Sequence, residues 1–472
     1  MGRRFLAVAT CALAWPGLAD AAWTKSDQMV PASDGTQLAT SLYVPTGVPP
    51  AGGRPAIVMF HGIGGTRASM NQIAEQTFAN QGFVVLTSDH RGHGQSGGLF
   101  NVNGPSEIQD ARDLYDWLAA RPGVDKAHVG AFGISLGGGV VFGALKAGVP
   151  FAAAEVLETW VDLPRALAPG RLTKSGAIFQ FLNSVTPDRT APELNALKSD
   201  FLTSTSYAAI RSYGDARSTL SALPRIKTPT FVFQGRRDFA FGLEQGLGAY
   251  RKLGGPKRLY IGDFGHSPST FPGPDASVVF AEASAWFDRF LRNKRNGIDT
   301  RKPVELAPDP YVKGKNVSYA SLPPTTAVKT GTATSGKTFG SRGKLVLSFK
   351  LPKRKLELFG APVVTVKAST RSQAKQLTAV IEAVAPGGAA AIVSEGGTLL
   401  PTKGKAWTVS FPLISDTALI ARGSKLRVTL SWTTTAQNPA NLLYLTGVPD
   451  GSSLTIKSAR ITLPVLKRGI SV

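Results

Sequence analysis

The sequence predicts an α/β layer domain with a helical cap inserted into it, followed by an all-β sandwich domain. Three observations carry this. Short apolar runs alternate with helical stretches up to about residue 293. From about 163 to 226 that rhythm is broken by a segment too long for a single crossover. Beyond about residue 302, β-type runs follow one another with no helix between them. A chain of 472 residues with 43% apolar side chains has material for at least two cores. The expected division is a leader over 1–21, an α/β domain over 22–300 with its cap at about 163–226, and a jelly-roll-like β-sandwich over 301–472.

The leader comes first. Arg3 and Arg4 precede an apolar run beginning at Phe5, and Ala19-Asp20-Ala21 supplies a small-x-small site. This is the pattern of a secretory signal cut after Ala21, and it places the protein outside the cytoplasm, secreted or in the periplasm or cell envelope. The apolar run is too short for a transmembrane segment. The single cysteine, Cys11, lies inside the leader. Thr10 is bulky for the residue before a lipid-anchored cysteine, so Cys11 is read as part of the signal. The processed chain would then hold together without disulfides.

Residues 25–43 read as two strands joined at Asp34-Gly35, a hairpin turn signal. Parallel-sheet strands follow at 55–60 (PAIVMF), 83–89 (FVVLTSD), 127–132 (AHVGAF), 152–158 (AAAEVLE) and 230–235 (TFVFQG). Helical stretches such as SEIQDARDLYDWLAARPG lie between them, and ASVVFAEASAWFDRFLRN closes the domain near Asn293. The interrupting segment has its own helices, APELNALKSDFL and TSYAAIRSYG. Charged, Pro-rich sequence, RNGIDTRKPVELAPDP, marks a linker. The β runs after it include KLVLSFKL, PVVTVKAST, QLTAVIEAVA, KLRVTLSWT and SLTIKSARITLPVL.

A G-x-S-x-G pattern occurs twice, at Gly133-Ile134-Ser135-Leu136-Gly137 and at Gly94-Gln95-Ser96-Gly97-Gly98. A nucleophilic serine of this kind needs a strand before it and a helix after it, so that its side chain stands exposed on a strained turn. Ser135 follows AHVGAF and precedes GGGVVFGALKAG, a small-residue helix. Ser96 has loop sequence on both sides and is read as a decoy. A hydroxyl also needs a base, and the base needs an acid to orient it. In the chain order Ser, acid, His, only His266 of the five histidines lies beyond Ser135 with a strand and glycine-rich loop around it. For the acid, Asp238 follows TFVFQGRR at a strand's carboxyl end, where sites in open α/β sheets gather, and Asp263 and Asp162 remain alternatives. An oxyanion hole needs two backbone N–H donors, which Leu136 and Ile63, the latter in the loop HGIGG after PAIVMF, are placed to supply. His61 is read as packing at the strand end.

Taken in order, HGIGG, DHRGHGQSGG, GISLGG and GRRD followed by GH resemble the serine α/β-hydrolase superfamily over about residues 30–296. The resemblance assigns Ser96 to that superfamily's structural D-x-R-G-x-G-x-S loop, residues 89–96. With its cap and β domain the chain looks most similar to the X-prolyl dipeptidyl aminopeptidase and cocaine-esterase-like acyl hydrolases. Two positions depart from that group: Leu136 stands where a tyrosine usually follows the nucleophile, and HGIGG offers backbone donors where a tyrosine hydroxyl often serves. The expected activity is cleavage of a carboxylic ester, or of an amide, through an acyl-enzyme. An X-Pro dipeptidyl peptidase, an acyltransferase using the same triad and a non-catalytic envelope-binding protein are the alternatives.

The net charge of +22 is uneven, with 24 Lys and Arg against 7 Asp and Glu from residue 300 onward. The excess lies along strands without the aromatic interleaving of a nucleic-acid binder, so the expected partners are a small ester or short peptide substrate and an anionic cell-envelope surface. No cofactor and no metal are expected, because the histidines lack ligand spacing and cysteine is confined to the leader. A peptidase of the X-Pro type would need a carboxylate for the substrate ammonium, for which the cap offers Asp188, Glu193 and Asp200.

Overall fold

The computed structural model describes residues 22–204, 206–370, 372, 375–401 and 406–469. The leader expected over 1–21, with Cys11, lies outside them. Among the described residues ten strands form one sheet in the order β1-β2-β4-β3-β5-β6-β7-β8-β9-β10. They are β1 (Trp23–Pro31), β2 (Gln37–Pro45), β3 (Arg54–Phe60), β4 (Val84–Ser88), β5 (Val124–Ile134), β6 (Ala153–Leu157), β7 (Thr230–Gly235), β8 (Lys257–Gly262), β9 (Val304–Leu306) and β10 (Val317–Tyr319). The hairpin β1–β2 turns at Asp34-Gly35, with Gly35 at φ 85°. From β3 to β9 the pairing is parallel.

Because crossover helices cover both faces of a parallel sheet, its strands are apolar on both sides, and two cores result. Helices α1 (Arg67–Ile73) and α9 (Ala276–Leu291) pack on one face around Phe78, Phe132 and Trp286. Helices α2 (Pro105–Ala119), α3 (Leu136–Lys146) and α8 (Leu243–Lys252) pack on the other around Val58, Val140 and Leu247. Between β6 and β7, helices α4 (Leu163–Leu167), α5 (Ser175–Leu182), α6 (Pro192–Thr203) and α7 (Tyr207–Ala216) build a separate apolar cluster over the carboxyl ends of the strands.

The first sheet runs past residue 300. Strands β9 and β10 extend its edge, so the purely antiparallel region begins after Tyr319 rather than at 301. Three-residue strands flanked by Pro and charge resemble a linker in sequence, because only pairing with β8 makes β9 a strand. The remaining chain forms two antiparallel sheets facing one core of its own.

This β domain grips the cap and the loop after β7. Gly176 N donates to Leu443 O at 3.0 Å, and Ser175 Oγ accepts from Leu445 N at 2.9 Å. Thr417 N donates to Arg236 O at 2.9 Å, and Arg237 Nη2 donates to Ile392 O at 2.8 Å.

One buried group works against stability. Glu155, in the middle of β6 between Phe132 and Phe231, is 0% exposed, and neither carboxyl oxygen has a hydrogen-bond partner. Burial raises its pKa well above the ordinary 4.5, so the folded state holds the proton and loses stability as pH rises above that value. Glu155→Leu is expected to stabilise the protein by about 1–3 kcal/mol at neutral pH, with a smaller gain near pH 4, as read by urea denaturation.

Candidate active site

Strand β5 and helix α3 meet at Ser135, whose backbone is left-handed at φ 55°, ψ −116°. A non-glycine residue there costs about 1–3 kcal/mol, so the surroundings must hold it. They do so on every side. Ser135 N donates to Leu157 O at 2.9 Å and Thr159 Oγ1 donates to Ser135 O at 2.7 Å, both from the end of β6. A Cβ on Gly133 would collide with Gly137 O, and one on Gly137 with Phe60 O, so the flanking glycines permit the tight turn.

The turn aims the hydroxyl at His266, with Ser135 Oγ 2.9 Å from His266 Nε2. On the far side of the ring, His266 Nδ1 lies 2.7 Å from Asp238 Oδ2. Asp238 is 0% exposed, and its Oδ1 accepts from Ala240 N and Phe241 N at 2.9 and 2.8 Å. The other two acid candidates point elsewhere: Asp162 caps α4 through Arg165 N at 3.2 Å, and Asp263 pairs with Arg236 at 2.9 Å. Burial disfavours a charged imidazole, but the Asp238 carboxylate and its hydrogen bond outweigh that and raise the His266 pKa above 6.5.

The loop after β3 passes beside the serine. A Cβ on Gly62 would lie 3.9 Å from Ser135 Oγ, and the N–H groups of Ile63 and Leu136 have no hydrogen-bond partner among the described residues. His61 is fully buried and accepts from His90 N at 3.0 Å, while burial lowers its pKa to about 3 and keeps it neutral. Ser96 is equally buried. Its Oγ donates to Asp89 O at 2.7 Å and accepts from Ala39 N at 2.9 Å, and Asp89 is held by Arg67 at 2.5 Å. The second G-x-S-x-G is therefore a brace between β2 and the loop after β4.

Sequence reasoning missed Glu158. It follows β6 with φ 42°, is 2% exposed, and its Oε2 lies 3.5 Å from His266 Nδ1. Glu158, Asp238 and His266 are also the group of potential metal ligands found among the described residues, but Nδ1 already has its proton acceptor in Asp238 and Nε2 faces Ser135.

A family model for the X-Pro dipeptidyl-peptidases of the S15 family matches residues 34–268. The fold is similar to that of a CocE/NonD family hydrolase from Staphylococcus aureus, with a TM-score of 0.75 at 14% identity over 94% of both chains. The chain has the α/β-hydrolase fold. An α-amino acid ester hydrolase superposes on this chain with a TM-score of 0.68 at 15% identity, covering 98% of this chain and all of the other. A Bacillus anthracis protein provisionally named Xaa-Pro dipeptidyl-peptidase is 21% identical over 83% of this chain and 74% of its own length. Shorter curated relatives are 33% identical, and this chain spans only 32% or 29% of their length.

Between cap and sheet, Ser135 opens onto an apolar cavity. Ile63, Leu136, Trp160, Ile178, Phe181, Leu194, Phe201 and Phe241 line it, with Tyr213. The tyrosine hydroxyl is engaged with Asn101 Oδ1 at 2.8 Å. No carboxylate lines the cavity among the described residues, and of the cap acids Glu193 turns outward to Arg217 at 3.0 Å.

Two serine variants separate the two motifs. Ser135→Ala is expected to abolish covalent labelling by a fluorophosphonate while the thermal midpoint holds or rises. Ser96→Ala leaves the buried Ala39 N–H without its acceptor and is expected to destabilise by about 1–3 kcal/mol while labelling persists in the folded fraction.

Proposed function

We propose that this protein is an exported serine esterase that transfers an apolar acyl group from an ester to Ser135 and then to water. The observation that carries this reading is an apolar, carboxylate-free cavity at the hydroxyl that His266 faces. Export is supported by the composition of the leader.

In the first step His266 Nε2 takes the Oγ proton as Oγ bonds to the ester carbonyl carbon, and the carbonyl oxygen becomes an oxyanion facing the N–H groups of Ile63 and Leu136. Asp238 accepts the Nδ1–H hydrogen bond and stabilises the imidazolium. As the tetrahedral intermediate collapses, the C–O bond breaks and the imidazolium returns its proton to the leaving alcohol. Water then adds to the acyl-enzyme by the same route, giving the acid and restoring Ser135.

A peptide with a free α-ammonium would have to place that charge among Leu194, Phe201 and their apolar neighbours, where nothing pairs with it. The kcat/KM for p-nitrophenyl butyrate is therefore expected to exceed that for an Ala-Pro arylamide by at least about 10²-fold, since an unpaired buried charge costs several kcal/mol. A higher value on the arylamide would overturn the esterase reading.

The pH dependence follows from His266. Only the neutral imidazole can act as base, and the raised pKa means that kcat/KM climbs with pH along a limb centred above 6.5. The same shift stabilises the fold below pH 6.5, and that contribution is lost as pH rises through the folded-state value. A pH–rate profile with its limb at or below 6.5 would contradict the assigned environment of His266.

A further inference from the structure

Glu158 has no structural employment that explains its place. Its Oε1 is buried without a partner, its Oε2 makes no hydrogen bond shorter than its 3.5 Å approach to His266 Nδ1, and its backbone sits at φ 42°. The main chain holds it firmly, because Glu158 N donates to Phe233 O at 2.8 Å and its neighbours Leu157 and Thr159 grip Ser135. A left-handed non-glycine residue, a desolvated carboxyl and an orphan oxygen are each unfavourable, and together they converge on the atom that Asp238 serves.

We propose that Glu158 is a second positioning carboxylate for His266, sharing the Nδ1 side of the ring with Asp238 and able to take over its orientation when Asp238 cannot accept the proton. This rests on the acyl-enzyme reading above. Two adjacent carboxyls do not both ionise readily in a buried site, so Glu158 is held protonated near neutral pH, its pKa pushed upward by burial and by Asp238 although the imidazole opposes this. Two further titratable groups act on the pair: Lys174 of the cap, whose Nζ donates to Phe239 O at 2.8 Å and to Ala240 O, and the buried Asp416 of the β domain. Phe181 and Phe241 stand edge-on to the imidazole. When Asp238 is made neutral, the repulsion that keeps Glu158 protonated disappears, and its carboxylate becomes the acceptor nearest to Nδ1.

The test uses the full chain and four proteins: wild type, Asp238→Asn, Glu158→Gln and the double variant, with thermal midpoints recorded for each. Rates of fluorophosphonate labelling and kcat/KM on p-nitrophenyl butyrate are measured from pH 5 to 10. Asp238→Asn is expected to keep at least about 10-fold more activity than the double variant, with a residual rate that climbs as Glu158 ionises, a limb that the double variant lacks. Glu158→Gln alone is expected to move the limb of kcat/KM to lower pH, because wild-type Glu158, protonated near neutral pH, ionises at about 8 and from there on adds negative potential at the imidazolium. A residue that only supports the fold would lower the thermal midpoint without moving that limb. Equal activities of Asp238→Asn and the double variant, or an unmoved limb in Glu158→Gln, would overturn the proposal. If the double variant does not fold, the limb of Glu158→Gln decides alone. Absence of labelling in the wild type would instead sink the acyl-enzyme reading itself.

Discussion

The left-handed backbone of Ser135 is the constraint on which the rest of the site depends. A strand that passes directly into a helix through one strained residue projects that residue's side chain away from both elements. The turn survives because Gly133 and Gly137 let main chain touch main chain, and because Leu157 and Thr159 bind the serine backbone from the neighbouring strand. The same strand end then has to change direction, and Glu158 absorbs that change beside His266. The positions of Ser135 and Glu158 are thus consequences of one packed junction.

The other half of the site is carried by loops, and loops need outside support. The segment after β7 gets it from three directions. Its own amides hold Asp238, the buried ammonium of Lys174 ties its carbonyls to the cap, and the β domain bonds to Arg236 and Arg237 from behind. The β domain also holds the start of α5, so it fixes cap and acid loop against each other. Its part in the molecule is mechanical whatever its basic surface touches.

Burial gives the site its chemistry. In a cavity walled by aliphatic and aromatic side chains the imidazole feels Asp238 strongly, because little water intervenes to screen the pair. The same dryness makes the cavity hospitable to an apolar acyl group and hostile to an unpaired ammonium. Under the esterase reading proposed above, a single property tunes the imidazole and selects the substrate. The histidines near the oxyanion loop feel the opposite effect: burial, helped by the neighbouring imidazoles, lowers the pKa of His61 and His90 and keeps them neutral.

Fold class and motif order were legible in the sequence because they are local. A buried parallel strand is a run of apolar residues, a nucleophile turn is five residues between strand and helix, and the sequential order of serine, acid and histidine follows from the order of the strands. That context separated Ser135 from Ser96 before any contact was known. Choosing among Asp238, Asp162 and Asp263 was a different problem, since each follows a strand and only side-chain direction distinguishes them. Glu158 was hidden more completely, as the last letter of an apolar strand, AAAEVLE. The strands β9 and β10 were hidden too, because β9 is a strand only by pairing with β8, and β10 only by pairing with β9. Periodicity records which way a segment faces its core, but the meeting of Glu158, Asp238 and His266 joins residues up to 108 positions apart and exists only once the sheet has brought three strand ends together.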